Sequence, residues 1–227
     1  DFAAAAQCQE AGASLASAQG DAGAAVAFLI ELGETLSTSG NDLAAAARME
    51  AAMEAYPAPD EYGRLVVLRL KYLYRGEVLD GVWQEAQVAR EEEKCQGVLP
   101  ELLYISWLTA RRLNHTEQAL QLNEDFIARW PEHPWCADML LHSGLVACVH
   151  GDYEGMERVF ALIKSRYPES EAFGSVGKIE DRLQSLTKTE EEDLRVLWRD
   201  VTLPGQSGEA TRNSSRHEHQ TPGEDGK

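Results

Sequence analysis

Cationic residues are scarce in this sequence. Its 227 residues include 21 Lys and Arg against 38 Asp and Glu, so the formal net charge is −17 at pH 7. Because neutralising phosphates requires clustered Lys and Arg, we expect no nucleic-acid partner and no adsorption to anionic lipid. A local basic patch is still compatible with this balance.

Long apolar runs are absent. A stretch such as AAVAFLIELG breaks at Glu31, well short of the roughly 18 residues that a membrane span requires, so we expect no transmembrane segment. The chain begins at Asp1 without an initiator Met, and we therefore expect that a leader or an upstream domain has been removed.

Only four cysteines are present, and they form neither a CxxC pair nor a zinc-ligand spacing. If Cys136 and Cys148 share a helix, about 18 Å separates them, against a limit of roughly 7 Å between disulfide-bonded Cα atoms. We interpret the cysteines as small buried hydrophobes, which leaves the cellular compartment open.

Motifs that carry chemistry are also missing. GSVGK at 174–178 lacks the spacing of a phosphate-binding loop, and no strand pattern precedes it. His142 and His150 would stand about 12 Å apart along one helix, too far to share a metal ion. We predict no catalytic residue, no metal and no cofactor, and hence that the chain is not an enzyme.

Strand patterns hardly occur, whereas Ala, Leu, Glu, Gln and Arg fill long windows with apolar residues at helical spacing. Gly, Pro and Asn divide the chain into helices of about 12 to 18 residues joined by short connections. This pattern predicts an all-α fold built of antiparallel helical hairpins.

A spacing of 37 residues recurs among the prolines. Pro131 and Pro168 are 37 residues apart, and Pro57 lies 74 residues before Pro131, so one intervening copy lacks its proline. In that copy Glu93-Lys94 replaces the aromatic–proline pair, and we expect residues 97–100 to supply the turn. The prolines thus predict about four copies of one unit.

The glycines follow the same period. Gly144 and Gly151 lie 111 residues, or three periods, after Gly33 and Gly40. We expect the first glycine of each pair to allow close helix packing, and the second to turn the chain in a left-handed conformation.

The fourth copy, ADMLLHSGLVACVHGDYEGMERVFALIKSRYP, resembles the tetratricopeptide repeat family at Leu140, Gly144, Gly151, Phe160 and Pro168. The resemblance implies an α-solenoid of helical hairpins with terminal capping helices. It also implies a scaffold for protein–protein interaction, in which the first helix of each pair lines an inner groove.

The resemblance leads to a division of the chain into four parts. We predict an N-terminal Ala-rich helix at 1–20, the repeat array at 21–173, capping helices at 174–200 and a disordered polar tail at 201–227. The turn WPEHPWCAD resembles the bacterial envelope subgroup, which includes the lipoprotein of the outer-membrane β-barrel assembly machine and the Tol-associated periplasmic coordinator. This likeness favours a periplasmic or envelope-associated location, with the cytoplasm as the alternative.

The repeat register then selects candidate partner-binding residues. The groove-facing stripes of the second and third copies bring together five cations and two tyrosines, namely Arg64, Lys71, Tyr74, Arg75, Tyr104, Arg111 and Arg112. Such a surface suits an acidic protein segment or a C-terminal carboxylate. The asparagines of the family's carboxylate-clamp members are missing, so recognition of chaperone tails is not expected.

Two alternatives stand beside this hypothesis. The stripe is also compatible with a solvated surface neutralised by Glu61, Glu77 and Glu101. The chain could also be a structural or assembly component of an envelope complex that acts through its convex face or its ends. The oligomeric state is not predictable from the sequence.

Overall fold

The computed structural model describes residues 2–57 and 59–185, which form ten α-helices and one 3₁₀ helix with no strand among them. The α-helices are α1 Phe2–Ala18, α2 Ala22–Thr38, α3 Asp42–Ala55, α4 Pro59–Arg75, α5 Leu79–Glu91, α6 Leu99–Arg112, α7 Thr116–Arg129, α8 Cys136–Val149, α9 Tyr153–Arg166 and α10 Glu171–Ser185. The predicted all-α class is confirmed. In the described part, no helix is both long enough and apolar enough to cross a membrane.

The chain divides into two compact units, residues 1–131 (unit 1) and 132–227 (unit 2). Unit 1 contains α1 to α7, and unit 2 contains α8 to α10 in its described part. The four-part division expected from the sequence stays a prediction. Its second capping helix and its polar tail, from residue 186 onward, lie outside the described residues.

The helix boundaries repeat with the period found in the sequence. The first helices of the hairpins, α2, α4, α6 and α8, end at residues 38, 75, 112 and 149, which are 37 residues apart. The second helices, α3, α5, α7 and α9, begin at residues 42, 79, 116 and 153, again 37 apart. The predicted period is therefore confirmed, including the copy that lacks its proline.

Each first helix ends in the same backbone turn. The residue after the cap is left-handed, with φ of 84° at Gly40, 64° at Glu77, 59° at Asn114 and 78° at Gly151. In each turn this residue donates its N–H to the carbonyl three residues back, and the next residue donates to the carbonyl five back. This is the Schellman motif, in which a residue with a Cβ costs about 1 kcal/mol relative to glycine. The glycine turns were predicted and Asn114 was expected to interrupt a helix, but the left-handed conformations of Glu77 and Asn114 were not predicted.

In unit 1, helix α4 belongs to two hydrophobic clusters at once. Its Leu65 and Tyr72 join the cluster formed with α2 and α3, while Val66 and Leu70 join the cluster formed with α5 and α6. Among the described helices of the unit, α4 contacts α2 and α6, whereas α5 contacts neither α3 nor α7. The first helices thus form one continuous layer, and the second helices are separated from one another.

The connection between α5 and α6 differs from the expected turn at 97–100. A 3₁₀ helix, Glu93–Val98, follows α5 and packs against α4. A Cβ at Gly63 of α4 would lie 2.9 Å from Val98 Cγ2 and 3.1 Å from the Lys94 carbonyl oxygen, so glycine allows this close approach. Pro100 instead lies in the first turn of α6.

In unit 2, α10 packs against both helices of the fourth hairpin. Ala172, Val176 and Ile179 supply its buried face. A closing helix was expected here, and in the structure it begins at Glu171. Its apolar face covers α8 and α9.

The cysteines were expected to be buried. Cys95, Cys136 and Cys148 are buried, and burial raises the pKa of each of these thiols. The expectation is wrong for Cys8, which is exposed on α1. In unit 1 this helix packs against α2 and is joined to α3 by the Arg48–Glu10 ion pair, and most of its surface faces solvent.

Candidate partner-binding site

The seven predicted residues all lie in unit 1, on two first helices that contact each other. Helix α4 carries Arg64, Lys71, Tyr74 and Arg75, and α6 carries Tyr104, Arg111 and Arg112. The side chains of Arg64, Lys71, Arg75 and Arg112 are exposed, while Tyr74, Tyr104 and Arg111 are half-buried. Both kinds of group, exposed cations and partly buried rings, are therefore present on this pair of helices.

Two arginines of α6 lie over aromatic rings. The guanidinium carbon of Arg112 is 5.3 Å from the centre of the Tyr74 ring, and that of Arg111 is 4.7 Å from Trp107. The rings of Tyr104 and Trp107 are 5.3 Å apart, centre to centre. These five residues are called the arginine–aromatic cluster below. Cation–π attraction restrains both guanidinium groups.

The electrostatics of Tyr74 connect the two halves of the cluster. Burial is the main influence and raises the pKa of Tyr74, whereas the positive charges of Arg112 and Arg111 act to lower it. Both arginines are thus close enough for their fields to act on one phenol, and the cluster spans two consecutive repeats.

Arg112 is already paired with a carboxylate. Its Nη1 donates to Glu77 Oε1 at 3.0 Å, and its Nη2 donates to Glu77 Oε2. This hydrogen bond is the main reason that the pKa of Arg112 is raised. Of the three glutamates expected to neutralise the stripe, Glu77 does so by pairing with Arg112. Glu61 and Glu101 form no ion pair in the described part of the chain.

The remaining cations of α4 stand in different environments. Arg75 donates from Nη1 to Ser37 Oγ of α2 at 3.0 Å, and Lys71, one turn earlier, is exposed on the same helix face. Arg64 precedes Arg75 by eleven residues, about 16 Å along the helix. The structure thus groups Lys71 and Arg75 and leaves Arg64 at the far end of the stripe.

Comparisons with known proteins address the fold. No protein-family model matches the sequence, and no curated protein matches it. The structure of a tetratricopeptide repeat protein from Parabacteroides merdae superposes with a TM-score of 0.58 over 77% of this chain and 68% of that one, at 20% sequence identity.

The fold is that of the tetratricopeptide repeat. At this identity the likeness shows the fold alone. PilF from Pseudomonas aeruginosa has a TM-score of 0.42 at 13% identity, over 78% of this chain and 98% of that one. The envelope subgroup expected from the turn WPEHPWCAD is not confirmed by these likenesses and stays a prediction.

One member of the cluster was missed by sequence reasoning. Trp107 is fully buried, and it lies three residues after Tyr104 and four before Arg111 on α6. That spacing places it beside both residues in a tetratricopeptide repeat helix.

Within residues 2–57 and 59–185, no group of three or more His, Cys, Asp or Glu side chains could hold a metal ion.

Proposed function

We propose that the protein is a non-catalytic scaffold, and that α4 and α6 bind an acidic segment or the C-terminal carboxylate of a partner protein. The tetratricopeptide repeat fold suggests a protein partner in general terms. The arginine–aromatic cluster carries the specific proposal, because it offers restrained guanidinium groups beside rigid aromatic surface.

The chemistry of the cluster suits a carboxylate ligand. A guanidinium group can donate two parallel hydrogen bonds to one carboxylate, and a tyrosine supplies contact area at a low cost in side-chain entropy. Arg111 and Arg112 lie against rings, so less freedom is lost when they engage a ligand.

The surrounding charge supports the same partner. Lys71 and Arg75 are exposed one helical turn apart, in a chain whose formal net charge is −17. An acidic segment is attracted to this pair and repelled by most other surfaces of the protein, which restricts where it can dock.

A double charge reversal tests this proposal. Fluorescence anisotropy would measure binding of a panel of acidic 15-residue peptides, each made with a free and with an amidated C-terminus. Lys71→Glu with Arg75→Glu is expected to weaken the peptides that bind the wild type by at least about tenfold. Both side chains are exposed, so the circular dichroism spectrum should not change.

A charge-matched control separates local from overall charge. Arg129→Glu with Arg158→Glu makes the same change in net charge on exposed positions of α7 and α9, and it should alter affinity by less than about twofold. Equal losses in the two double variants, or a panel without any binder, would contradict the proposed site. A partner retained by the Lys71/Arg75 variant would instead point to the second helices or the ends of the array.

A further inference from the structure

Glutamate is an unusual residue type for the left-handed backbone conformation found at position 77. The equivalent positions in the other hairpins hold Gly40, Asn114 and Gly151, residue types that adopt a left-handed conformation readily. Glu77 adopts the same conformation with φ of 64° and has a Cβ that makes it unfavourable. A glutamate does not favour this backbone conformation, so we expect the side chain of Glu77 to have a role of its own.

The carboxylate of Glu77 binds Arg112 of the next repeat. Both carboxylate oxygens accept from the guanidinium group, the arrangement that a ligand carboxylate would also adopt. The side chain of Glu77 is 63% exposed and that of Arg112 is 34% exposed, so solvent reaches the pair. Glycine or asparagine at this position could not make this contact.

We propose that Glu77 is a built-in competitor that occupies the carboxylate-binding side of Arg112 and thereby lowers the affinity of the α4–α6 face for acidic segments. This inference rests on the proposed function. A ligand carboxylate that engages Arg112 replaces one bidentate contact with another, so only ligands with further contacts to the face gain enough to displace Glu77. The competitor thus sets a threshold that favours extended acidic segments over single carboxylates.

Removing the competing charge tests the inference. In the anisotropy assay, Glu77→Gln is expected to tighten the binding of acidic peptides by about fivefold to tenfold, because Arg112 becomes available and a negative charge leaves the site. Glu77→Gly should tighten binding in the same way, and it should also remove the cost of a Cβ in the left-handed backbone conformation. Glu124→Gln, the same charge change on an exposed position of α7, should leave affinity within about twofold of the wild type.

A second substitution ties the gain to Arg112. With Arg112→Gln in the Glu77→Gln background, the gain should disappear. If Glu77→Gln leaves affinity unchanged or weakens it while the Lys71/Arg75 variant still loses binding, Glu77 is no competitor, and the proposed function stands without it. If neither the wild type nor Glu77→Gln binds any peptide, both the proposed function and this inference fail.

Discussion

The ring of Phe160 lies against the backbone of Gly144, so closely that a Cβ on the glycine would stand 2.6 Å from Phe160 Cε1. Gly144 belongs to α8 and Phe160 to α9, and both are buried. The two helices of the fourth hairpin approach each other here because one of them has no side chain. The same relationship recurs at Gly33, where a Cβ would lie 2.9 Å from Met49 Cε.

Gly144→Ala should therefore destabilise unit 2 although alanine favours helix. The added methyl group has to displace a fully buried ring, and overpacking of this kind costs about 1–3 kcal/mol. Urea denaturation followed by circular dichroism would measure the loss. The matched control is Gly177→Ala in α10, where nothing lies within 4 Å of the new Cβ and the helix should gain up to about 1 kcal/mol. Equal stability of the two variants would show that Phe160 yields easily.

Arg69 joins three consecutive helices of unit 1 through its charge. Its guanidinium group, on α4, pairs with Glu85 of α5, and its Nη2 lies 3.5 Å from Glu50 Oε1 of α3. The Arg69 side chain is 17% exposed. Arg69→Met keeps the apolar stem but leaves a partly buried carboxylate without its partner, so we expect a loss of about 1–3 kcal/mol in the free energy of unfolding.

An exposed pair provides the comparison for Arg69. Arg158 and Glu154 of α9 lie 3.8 Å apart, with side chains 70% and 90% exposed. Arg158→Met should change the free energy of unfolding by less than about 0.5 kcal/mol, because solvent screens such pairs. A loss as small for Arg69→Met would mean that its ion pairs stabilise the fold no more than surface pairs do.

The sequence predicts the repeat well because its turn signals recur at fixed spacing. Gly40, Gly151 and the prolines mark helix ends by conformational requirements that are local, and the register that they set carried over to the weak second copy. Gly33 and Gly144 were expected at close helix contacts, and the structure has both there. Local chemistry repeated at one period was sufficient for these features.

The contacts of the candidate site were much less predictable. Glu77 and Arg112 are 35 residues apart, and their pairing depends on how two repeats pack. In the sequence, Trp107 cannot be distinguished from an ordinary core residue. Only the tertiary structure places Arg111 over its ring. The sequence register selected helix faces for a test but not the partners of each side chain.

Tyr167 makes the stability of unit 2 depend on pH in the alkaline range. This residue follows α9, and its phenol hydrogen-bonds with the side chain of Cys136 at the start of α8. Burial, followed by the influence of Cys136, raises the pKa of Tyr167 to about 12, against an ordinary value of about 10. The folded protein therefore holds this proton more tightly than the unfolded chain does.

The sign of the effect follows from that difference. Below about pH 10 both states keep the proton and the contribution of Tyr167 to stability is complete; between about pH 10 and 12 the unfolded chain loses the proton first, so stability falls. Tyr167→Phe keeps the ring but cannot ionise. Its free energy of unfolding in urea, measured from pH 9 to 11.5, should fall less steeply with pH than that of the wild type. The other tyrosines and the remaining thiols titrate in both proteins, but Tyr167 also lowers the pKa of Cys136 through their hydrogen bond. The difference between the two slopes therefore reports Tyr167 together with its contact to Cys136, and parallel slopes would exclude a role for Tyr167.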